Sequence, residues 1–248
     1  MVYFLFAIFV FLAPMQAEAI INAENFDQAL DADGVVGKFG LSVNGGSGHS
    51  VKLHSEVSAK LMWKHGRHTD LAILSYAYGK SNQTRDTNNA FIHLRHRYLF
   101  AQHWDLEAFG QVQQDEFARL KLRSLLGGGV RWSWKSDTWG MHLGAGSFYE
   151  RESLRASVLP PSHLWRANLY AAVHGQLNDH VRLQDTLYYQ PAWRYSNDFR
   201  LLNNAEANIV ITDTLTLVLS LDIAHDSRPP AGVKPSDVSY KTGLQYSF

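Results

Sequence analysis

Gly243-Leu244-Gln245-Tyr246-Ser247-Phe248 closes the chain and has the pattern of a β-strand with two unlike faces. Successive side chains of a strand point to opposite faces. One face therefore carries Tyr240, Thr242, Leu244 and Tyr246, and the other carries Lys241, Gly243, Gln245 and Ser247. A strand with one apolar and one polar face suits a sheet that separates hydrocarbon from water. The alternative is a C-terminal strand of a soluble β-sandwich.

The same six residues predict a role in assembly. Chain termini of soluble domains usually fray, so a strand that ends on an aromatic residue favours a barrel whose last strand must close the sheet. We expect the barrel-assembly machinery to bind this end of the chain during membrane insertion. The residues of this predicted assembly signal are Gly243, Leu244, Tyr246 and Phe248.

Alternation with a period of two continues through most of the chain and fits no helical spacing. It is clearest where Leu215, Leu217, Leu219, Leu221 and Ile223 alternate with more polar residues. Segments of about ten residues match tilted strands that cross a membrane, and bacterial barrels have an even number of strands. The sequence therefore predicts an all-β fold, a single antiparallel transmembrane β-barrel of about twelve strands. The predicted spans are 34–44, 49–63, 69–79, 88–100, 103–114, 119–133, 138–151, 163–176, 180–190, 198–211, 214–225 and 237–248.

The connections between these strands alternate between short and long. At the end where the chain enters the barrel, which we call the near end, they are tight turns such as Asn178-Asp179 and Thr212-Asp213. At the opposite far end, longer connections are predicted at 44–49, 80–88, 151–162, 191–197 and 226–236. Outer-membrane barrels have short periplasmic turns and longer extracellular loops. We expect none of the long connections to fold into the barrel as a plug.

The tryptophans agree with this orientation. Five lie beside the near turns, namely Trp63, Trp104, Trp132, Trp134 and Trp139, and two lie near the far connections, Trp165 and Trp193. Rings at both water–lipid boundaries form the aromatic girdles of membrane barrels.

The amino-terminal residues predict export. Residues 1–19 contain an apolar run that is short for a membrane span, then Pro14 and an Ala17-Glu18-Ala19 cleavage pattern. We interpret 1–19 as a signal peptide, with a signal anchor as the alternative, 20–33 as a periplasmic lead-in, and 34–248 as the outer-membrane barrel. The predicted location is the cell outer membrane.

Composition excludes several functions. Formal net charge is zero and no basic tract occurs, so no nucleic-acid partner is expected. Cysteine is absent, and the twelve histidines are scattered without an H-E-x-x-H motif, so we expect no disulfide, metal or cofactor. A lipase-type site would need a Ser and a His two residues apart on one exterior strand face. His54 and Ser55 are adjacent and face opposite ways, and Gly144 occupies the position two residues after His142 where Ser would be needed. We therefore expect no enzyme, and a hydrolase is the third alternative.

Two segments resemble a known family. They are FGQVQQDEFARLKLRSLLGGGVRW at 109–132 and LGAGSFYERES at 143–153. Together they resemble the salt-induced outer membrane proteins, exported barrels of uncharacterised function, from about Lys38 to Phe248. The matching positions are Gln111, Asp115, Arg123, Leu126, Gly127, Gly129, Gly144, Gly146 and Glu150. The resemblance implies an outer-membrane barrel and supplies no active site. We interpret the glycines as sites of bending or close approach, because no helix or Lys-Ser/Thr pair completes a phosphate-binding loop.

The inward face is the candidate functional site. Alternation directs charged residues of both signs into the lumen, and we select Arg95, Arg97, Glu107, Arg123, Arg131, Glu150, Arg166, Arg182 and Glu206. These charges could line a water-filled path that selects ions, or they could pair across a narrow interior. The same alternation directs His96 and Asp185 towards lipid, which the sequence does not explain and which favours a local bulge or a register error there over a function.

Two functions follow from these alternatives. The first is a narrow passive pore for small solutes or ions. The second is a non-conducting envelope barrel that stabilises the membrane or binds a partner through its loops. For both, outer-membrane lipid is the expected surrounding partner.

Overall fold

The computed structural model describes residues 32–47, 51–155 and 160–246. Twelve β-strands make up the fold of these residues, and no helix among them is long and apolar enough to cross a membrane. The strands are Gly34–Gly46 (β1), Lys52–His65 (β2), His68–Ser81 (β3), Thr84–Ala101 (β4), Trp104–Asp115 (β5), Leu120–Lys135 (β6), Trp139–Leu154 (β7), Ser162–Asn178 (β8), Val181–Pro191 (β9), Phe199–Thr212 (β10), Leu215–Asp226 (β11) and Ser236–Tyr246 (β12).

Each strand pairs antiparallel with the next, so a single sheet runs from β1 to β12. The sheet is curled, as contacts between inward side chains of non-neighbouring strands show. The Tyr170 hydroxyl of β8 donates to Glu107 of β5 at 2.8 Å, and Arg200 of β10 donates to Glu152 of β7 at 2.9 Å. Within the described residues, β1 and β12 are the two ends of the sheet and are not paired with each other. The fold is thus a curled twelve-stranded barrel with a seam between its first and last strands.

The predicted all-β class, antiparallel arrangement and strand number are confirmed, with most boundaries within a few residues. The main difference lies at 80–88, where a long connection was expected. That prediction is wrong, because Asn82 and Gln83 form a two-residue turn and β4 begins at Thr84. Both turn residues have positive φ, 50° and 64°. Two left-handed residues in succession give a turn whose twist matches a tight β-hairpin.

The two ends of the barrel differ in their connections. Near-end turns occupy 66–67, 102–103, 136–138, 179–180 and 213–214. Far-end connections occupy 47–51, 82–83, 116–119, 155–161, 192–198 and 227–235. Apart from the 82–83 turn, the far connections are the longer ones, as the sequence predicts.

The two faces of the sheet differ in chemistry. Outward positions carry exposed apolar and aromatic side chains, such as Phe39 at 74% exposed and Leu126 at 71%. Tryptophans on this face include Trp63 and Trp104 beside near-end turns and Trp165 close to a far connection. Alternate positions point inward and include most of the buried polar residues. A sheet that exposes its apolar face and buries its charged face is the reverse of a soluble sandwich.

Several predicted features lie outside the described residues. These are the signal peptide at 1–19, most of the lead-in at 20–33, and Phe248 of the assembly signal. Gly243 and Leu244 lie in β12, with Leu244 exposed on the outward face, and Tyr246 ends the strand.

Candidate functional site: the charged interior

The structure places seven of the nine selected residues in the interior. Arg95, Arg97, Glu107, Arg123, Arg131, Glu150 and Arg166 are each at most 8% exposed. Glu206 is half-buried and accepts a hydrogen bond from Asn208 at 2.7 Å. Arg182 shares the inward register of β9 but lies one residue from the near end of the strand, where it is exposed. The buried members of the selected set therefore all lie on β4 to β8.

Glu150 is the centre of an ion-pair cluster in the far half of the barrel. It is 1% exposed and lies on β7. Arg166 of β8 approaches one carboxylate oxygen through Nε at 3.1 Å. Arg200 of β10 contacts the other oxygen through Nη1, and Arg123 of β6 lies 3.6 Å from it. Three guanidinium groups on three strands therefore converge on one buried carboxylate.

The cluster extends through three more carboxylates. Glu152, two residues beyond Glu150 on the same face, accepts from Arg123 Nε at 2.8 Å and from Arg200 Nη2 at 2.9 Å. Asp226 at the end of β11 accepts from Arg200 Nε at 3.0 Å. Asp198, just before β10, lies 2.8 Å from Arg166 Nη2. Charge-assisted hydrogen bonds are strong in a low-dielectric interior. Each buried charge of the cluster is stabilised by the oppositely charged groups around it.

Sequence reasoning missed Arg200, Glu152, Asp198 and Asp226. Strand parity could have found Glu152, which shares the face of Glu150, and Arg200, which shares the face of Glu206. The Arg200 signal is weak because the strand begins Phe199-Arg200-Leu201-Leu202, with apolar residues on both faces. Asp198 precedes its strand, so the alternation gives no information about it.

A second group surrounds Glu107 nearer the middle of the barrel. Arg95 Nη1 lies 3.6 Å from Glu107 Oε1, and the Tyr170 hydroxyl donates to Oε2. The Arg95 guanidinium also lies over the rings of Phe109 and Tyr170, at 5.7 and 5.9 Å from their centroids. In the strand register, Arg97 stands directly opposite Glu107. Cation, anion and aromatic faces together stabilise this buried charge.

The glycine-rich segments make room for these interior side chains. Gly144 lies directly opposite Tyr170, and a Cβ added at Gly144 would overlap the tyrosine ring. The ring can therefore lie across β7 and reach Glu107 on β5. Gly127 has a related role, because a Cβ there would approach Phe109 Cζ to 2.8 Å and clash with Phe148. This agrees with our interpretation of the glycines as sites of close approach.

Apolar and amide side chains fill the space between the charged groups. Three buried clusters face inward: Met62, Leu71, Ile73 and Phe91; Phe109, Leu125 and Phe148; and Tyr170, Tyr188 and Leu202. A buried polar chain links His93 Nδ1 to Gln111 Oε1 at 3.1 Å, and Gln111 Nε2 to Gln113 Oε1 at 2.6 Å. The interior from β3 to β10 is therefore packed with side chains.

Charge is distributed unequally between the two ends of the interior. In the near half, basic residues outnumber acidic ones, with Lys38, Lys60, Lys64, Arg95, Arg97, Arg131, Lys135 and Arg182 against Asp105, Glu107 and Glu206. In the far half the balance reverses, with Lys52, Arg123, Arg166 and Arg200 against Glu56, Asp115, Glu150, Glu152, Asp222, Asp226 and Asp237. The zero net charge of the chain thus conceals a basic near half and an acidic far half.

The longest far connection, 227–235, crosses the mouth of the barrel. Arg119, in the turn between β5 and β6, donates through Nη1 to the carbonyl of Ala231 at 2.6 Å. The β5–β6 turn and the β11–β12 connection lie on opposite sides of the twelve-stranded sheet, so the contact spans the opening. A cavity of about 60 Å³ lies beneath, lined by Arg123 and Asp226 among others. The contact lies at the mouth, and the expectation that no long connection folds into the barrel as a plug stays a prediction.

No metal centre is found among the described residues. Within 32–47, 51–155 and 160–246, no group of three or more His, Asp or Glu residues could hold a metal ion. Ser133 and His142 are hydrogen bonded, Nδ1 to Oγ at 3.0 Å, but they are direct cross-strand neighbours. Such pairs arise wherever Ser and His face each other in adjacent strands.

Fold and interior together define a membrane-type β-barrel, with an apolar outside, a charged inside and unequal ends. The chain belongs to the family described as "Protein of unknown function, DUF481", which matches residues 38–248. That description does not include the salt-induced name, so the resemblance to those proteins stays a prediction. No curated protein matches the sequence.

Solved structures with a similar fold are outer-membrane barrels. The NanC porin matches with a TM-score of 0.48 and 14% identity over 84% of this chain and 100% of that chain. The translocator domain of the autotransporter NalP from Neisseria meningitidis matches at 0.47 and 12%, over 90% and 92% of the two chains. The KdgM porin matches at 0.43 and 12%, over 86% and 99%. Likenesses of this size do not indicate what this chain binds or transports.

Proposed function

We propose that the chain is an integral outer-membrane barrel whose interior is closed to solutes in the described conformation. The observation that carries this proposal is the buried ion-pair cluster around Glu150, which is 1% exposed. Charges that line a water-filled path stay solvated, whereas these are desolvated and paired. The 227–235 connection contacts Arg119 on the opposite side of the far mouth.

The outer-membrane location is part of the proposal. It is supported by the exposed apolar outward face, by tryptophans at both ends of the strands, and by the predicted signal peptide. Lipid around the barrel and the assembly machinery at its C-terminal strand are the proposed partners. We also propose that the protein has no catalytic activity.

Planar-bilayer recording tests the closed barrel. The full mature protein is inserted from detergent, and insertion is verified by heat-modifiable migration of protein recovered from the same membranes. Recordings are made at about 0.1 to 1 M salt, where exposed charges are strongly screened. We expect no unitary conductance steps at either polarity. A known porin added to the same bilayer is the positive control. Reproducible steps from the wild-type protein would overturn the proposal.

A narrow passive pore is the second candidate, and one observation favours it. Beside the seam, inward polar residues of β1 and β2 are exposed, among them Ser42, Asn44 and Glu56. Ser42 and Glu56 are direct cross-strand neighbours. If a path exists there, the recordings will show small steps, and Glu56→Gln will lower their preference for cations because it removes a wall charge.

A further inference from the structure

Three histidines and an aspartate form a group on the outward face of the barrel, beside the first near-end turn. They are His65 of β2, His68 and Asp70 of β3, and His96 of β4, and we call them the histidine cluster. In the strand register, His65 is paired with His68, and Asp70 is paired with His96. The four residues have the same outward parity as Trp63 and Leu94, which are 50% and 55% exposed. The cluster therefore faces the surroundings of the barrel and not its interior.

Hydrogen bonds join the histidine cluster through its carboxylate. Asp70 Oδ2 lies 3.0 Å from His65 Nε2, and Asp70 Oδ1 lies 2.7 Å from His96 Nδ1. His68 Nδ1 lies 3.4 Å from His96 Nε2, and the His68 ring stacks on the His65 ring with centroids 5.3 Å apart. The side chains of His65, Asp70 and His96 are 38%, 42% and 47% exposed. The cluster is thus connected and also accessible to a ligand.

One proton on each ring satisfies these contacts when the Asp70 carboxylate is ionised. His65 then donates through Nε2 and His96 through Nδ1, because an ionised carboxylate only accepts. His96 Nε2 is left as an acceptor, and His68 Nδ1 donates to it. The other two ring nitrogens, His65 Nδ1 and His68 Nε2, make no hydrogen bond within the described residues. A second proton on either ring therefore adds an N–H donor that is available to a ligand.

Protonation of the rings reverses the charge of the cluster. With neutral rings the ionised carboxylate gives it one negative charge, and with three protonated rings the balance is two positive charges. Histidine is the side chain that changes charge between roughly pH 5 and 8. The groups that face the cluster from adjoining elements are Asp33 before β1, Arg67 in the turn, Tyr98 of β4, and Leu106 and Ala108 of β5. Asp33 and Arg67 have opposite charges, so the histidines determine the sign of the charge here.

In the proposed outer-membrane location, aromatic side chains set the cluster at the level of the lipid headgroups. The Trp63 ring centroid lies 4.1 Å from that of His65, and the Tyr98 centroid lies 5.0 Å from that of His68. Trp and Tyr are enriched at the boundary between hydrocarbon and water. Phospholipid headgroups occupy the same boundary. The phosphate of a lipid beside the near end can therefore approach the cluster.

We propose that the histidine cluster is a proton-dependent binding site for the phosphate group of an anionic phospholipid at the near end of the barrel. Protonated His65 and His68 supply outward N–H donors, and the positive charge attracts the lipid phosphate. Leu61 and Leu94 expose apolar surface beside the cluster for the acyl chains of the same lipid, which favours a lipid over a free phosphate ion. A metal ion is not the proposed ligand, because no metal site is found among the described residues. The site rests on the proposed membrane location and not on the closed interior.

Tryptophan quenching by brominated phospholipids tests the site on the full mature protein in phosphatidylcholine vesicles. Brominated phosphatidylglycerol is the anionic probe, and brominated phosphatidylcholine is the zwitterionic reference. The Trp63 contribution is obtained by difference from Trp63→Phe, because this ring lies beside His65. From about pH 7.5 to about pH 5.5 we expect the preference for phosphatidylglycerol to rise about fivefold, the effect of one added charge near a membrane surface. Roughly 0.5 M salt should reduce the rise, because the cluster is open to solvent.

His68→Gln and His96→Gln should each lose most of the rise in preference, because each removes a ring that gains a proton. His163→Gln is the matched control, because His163 lies at the far end of the barrel, where it is exposed and contacts the Tyr149 hydroxyl at 3.1 Å. It should keep the wild-type rise, and heat-modifiable migration establishes that each variant is folded and inserted.

Two results would overturn the site: no rise in inserted wild-type protein, or the same rise in His68→Gln and His96→Gln as in His163→Gln. A wild-type protein that does not insert would contradict the proposed membrane location and, with it, the lipid site. A protein that shows the rise and also conducts would overturn the closed barrel while leaving this site in place.

Discussion

Replacing Arg200 by Gln is the most direct test of a dry interior. The Arg200 side chain is 5% exposed and contacts Glu150, Glu152 and Asp226, the last two at 2.9 and 3.0 Å. Removing one partner of a buried ion pair costs about 3–5 kcal/mol. Glu150 and Glu152 keep contacts with Arg123 in the variant. We therefore expect Arg200→Gln to cost about 3–5 kcal/mol in total and not that amount for each carboxylate, because members of one network are not additive.

The measurement is urea unfolding of the barrel in phospholipid vesicles, followed by tryptophan emission. A lower midpoint at unchanged slope would show lost stability without a change in the surface exposed on unfolding. Arg182→Gln is the matched control, because Arg182 has the same inward parity but is exposed at the near rim. It should stay within about 0.5 kcal/mol of wild type.

Two results would refute this reasoning. The first is a cost below about 1 kcal/mol for Arg200→Gln, which is typical of a solvated pair. The second is equal destabilisation by Arg182→Gln, which would mean that burial of the arginine does not determine the loss of unfolding free energy. Glu150→Gln and the Glu150→Gln/Arg200→Gln double variant complete a double-mutant cycle. If the two groups interact directly, its cost should fall short of the sum of the single costs.

Three further predictions follow from the glycines, the far mouth and the C-terminus. Gly144→Ala should displace Tyr170 from Glu107 and destabilise the barrel by about 1–3 kcal/mol in the same assay, whereas Gly46→Ala, with open space around its Cβ, should be neutral. Arg119→Ala should free the 227–235 connection, because it removes the hydrogen bond to the Ala231 carbonyl, and the result should be faster proteinase K cleavage there at an unchanged unfolding midpoint; an unchanged cleavage rate would contradict the contact. Deletion of Phe248 should reduce membrane insertion and heat-modifiable migration more than Arg182→Gln does; unimpaired insertion would contradict the assembly role of the C-terminus.

Strand number and inward faces follow from the sequence because a period of two is a local signal. The start of β4 was missed because Gln83 is an unusual residue for a left-handed turn position, and only the observed φ of 64° reveals it. The contact of Arg119 with Ala231 was missed for a different reason. The two residues are 112 positions apart, and no local pattern reports such a pairing.

The polar residues that face outward show why register matters. His96 and Asp185 lie on the outward face in regular register, so the expected bulge or register error there is wrong, and their partners could not be named from sequence. His96 Nδ1 lies 2.7 Å from Asp70 Oδ1 on β3, and Asn203 of β10 donates to Asp185 at 2.6 Å. Each polar group is satisfied by a neighbouring strand, which lowers the cost of facing lipid. Cross-strand partners depend on pairing register, which alternation alone does not specify.

The interior charges also bear on how the barrel acquires one structure. A sheet that is apolar on both faces could slip by one residue and still present hydrocarbon to lipid. Buried cations such as Arg95 and Arg200 oppose that slip, because a charged side chain on the lipid face costs about 2–4 kcal/mol at the midplane and less near the strand ends, where Arg200 lies. Buried ion pairs often contribute little net stability compared with apolar packing. The cluster around Glu150 is therefore explained by specificity of register as well as by contact energy, and neither role requires the barrel to conduct.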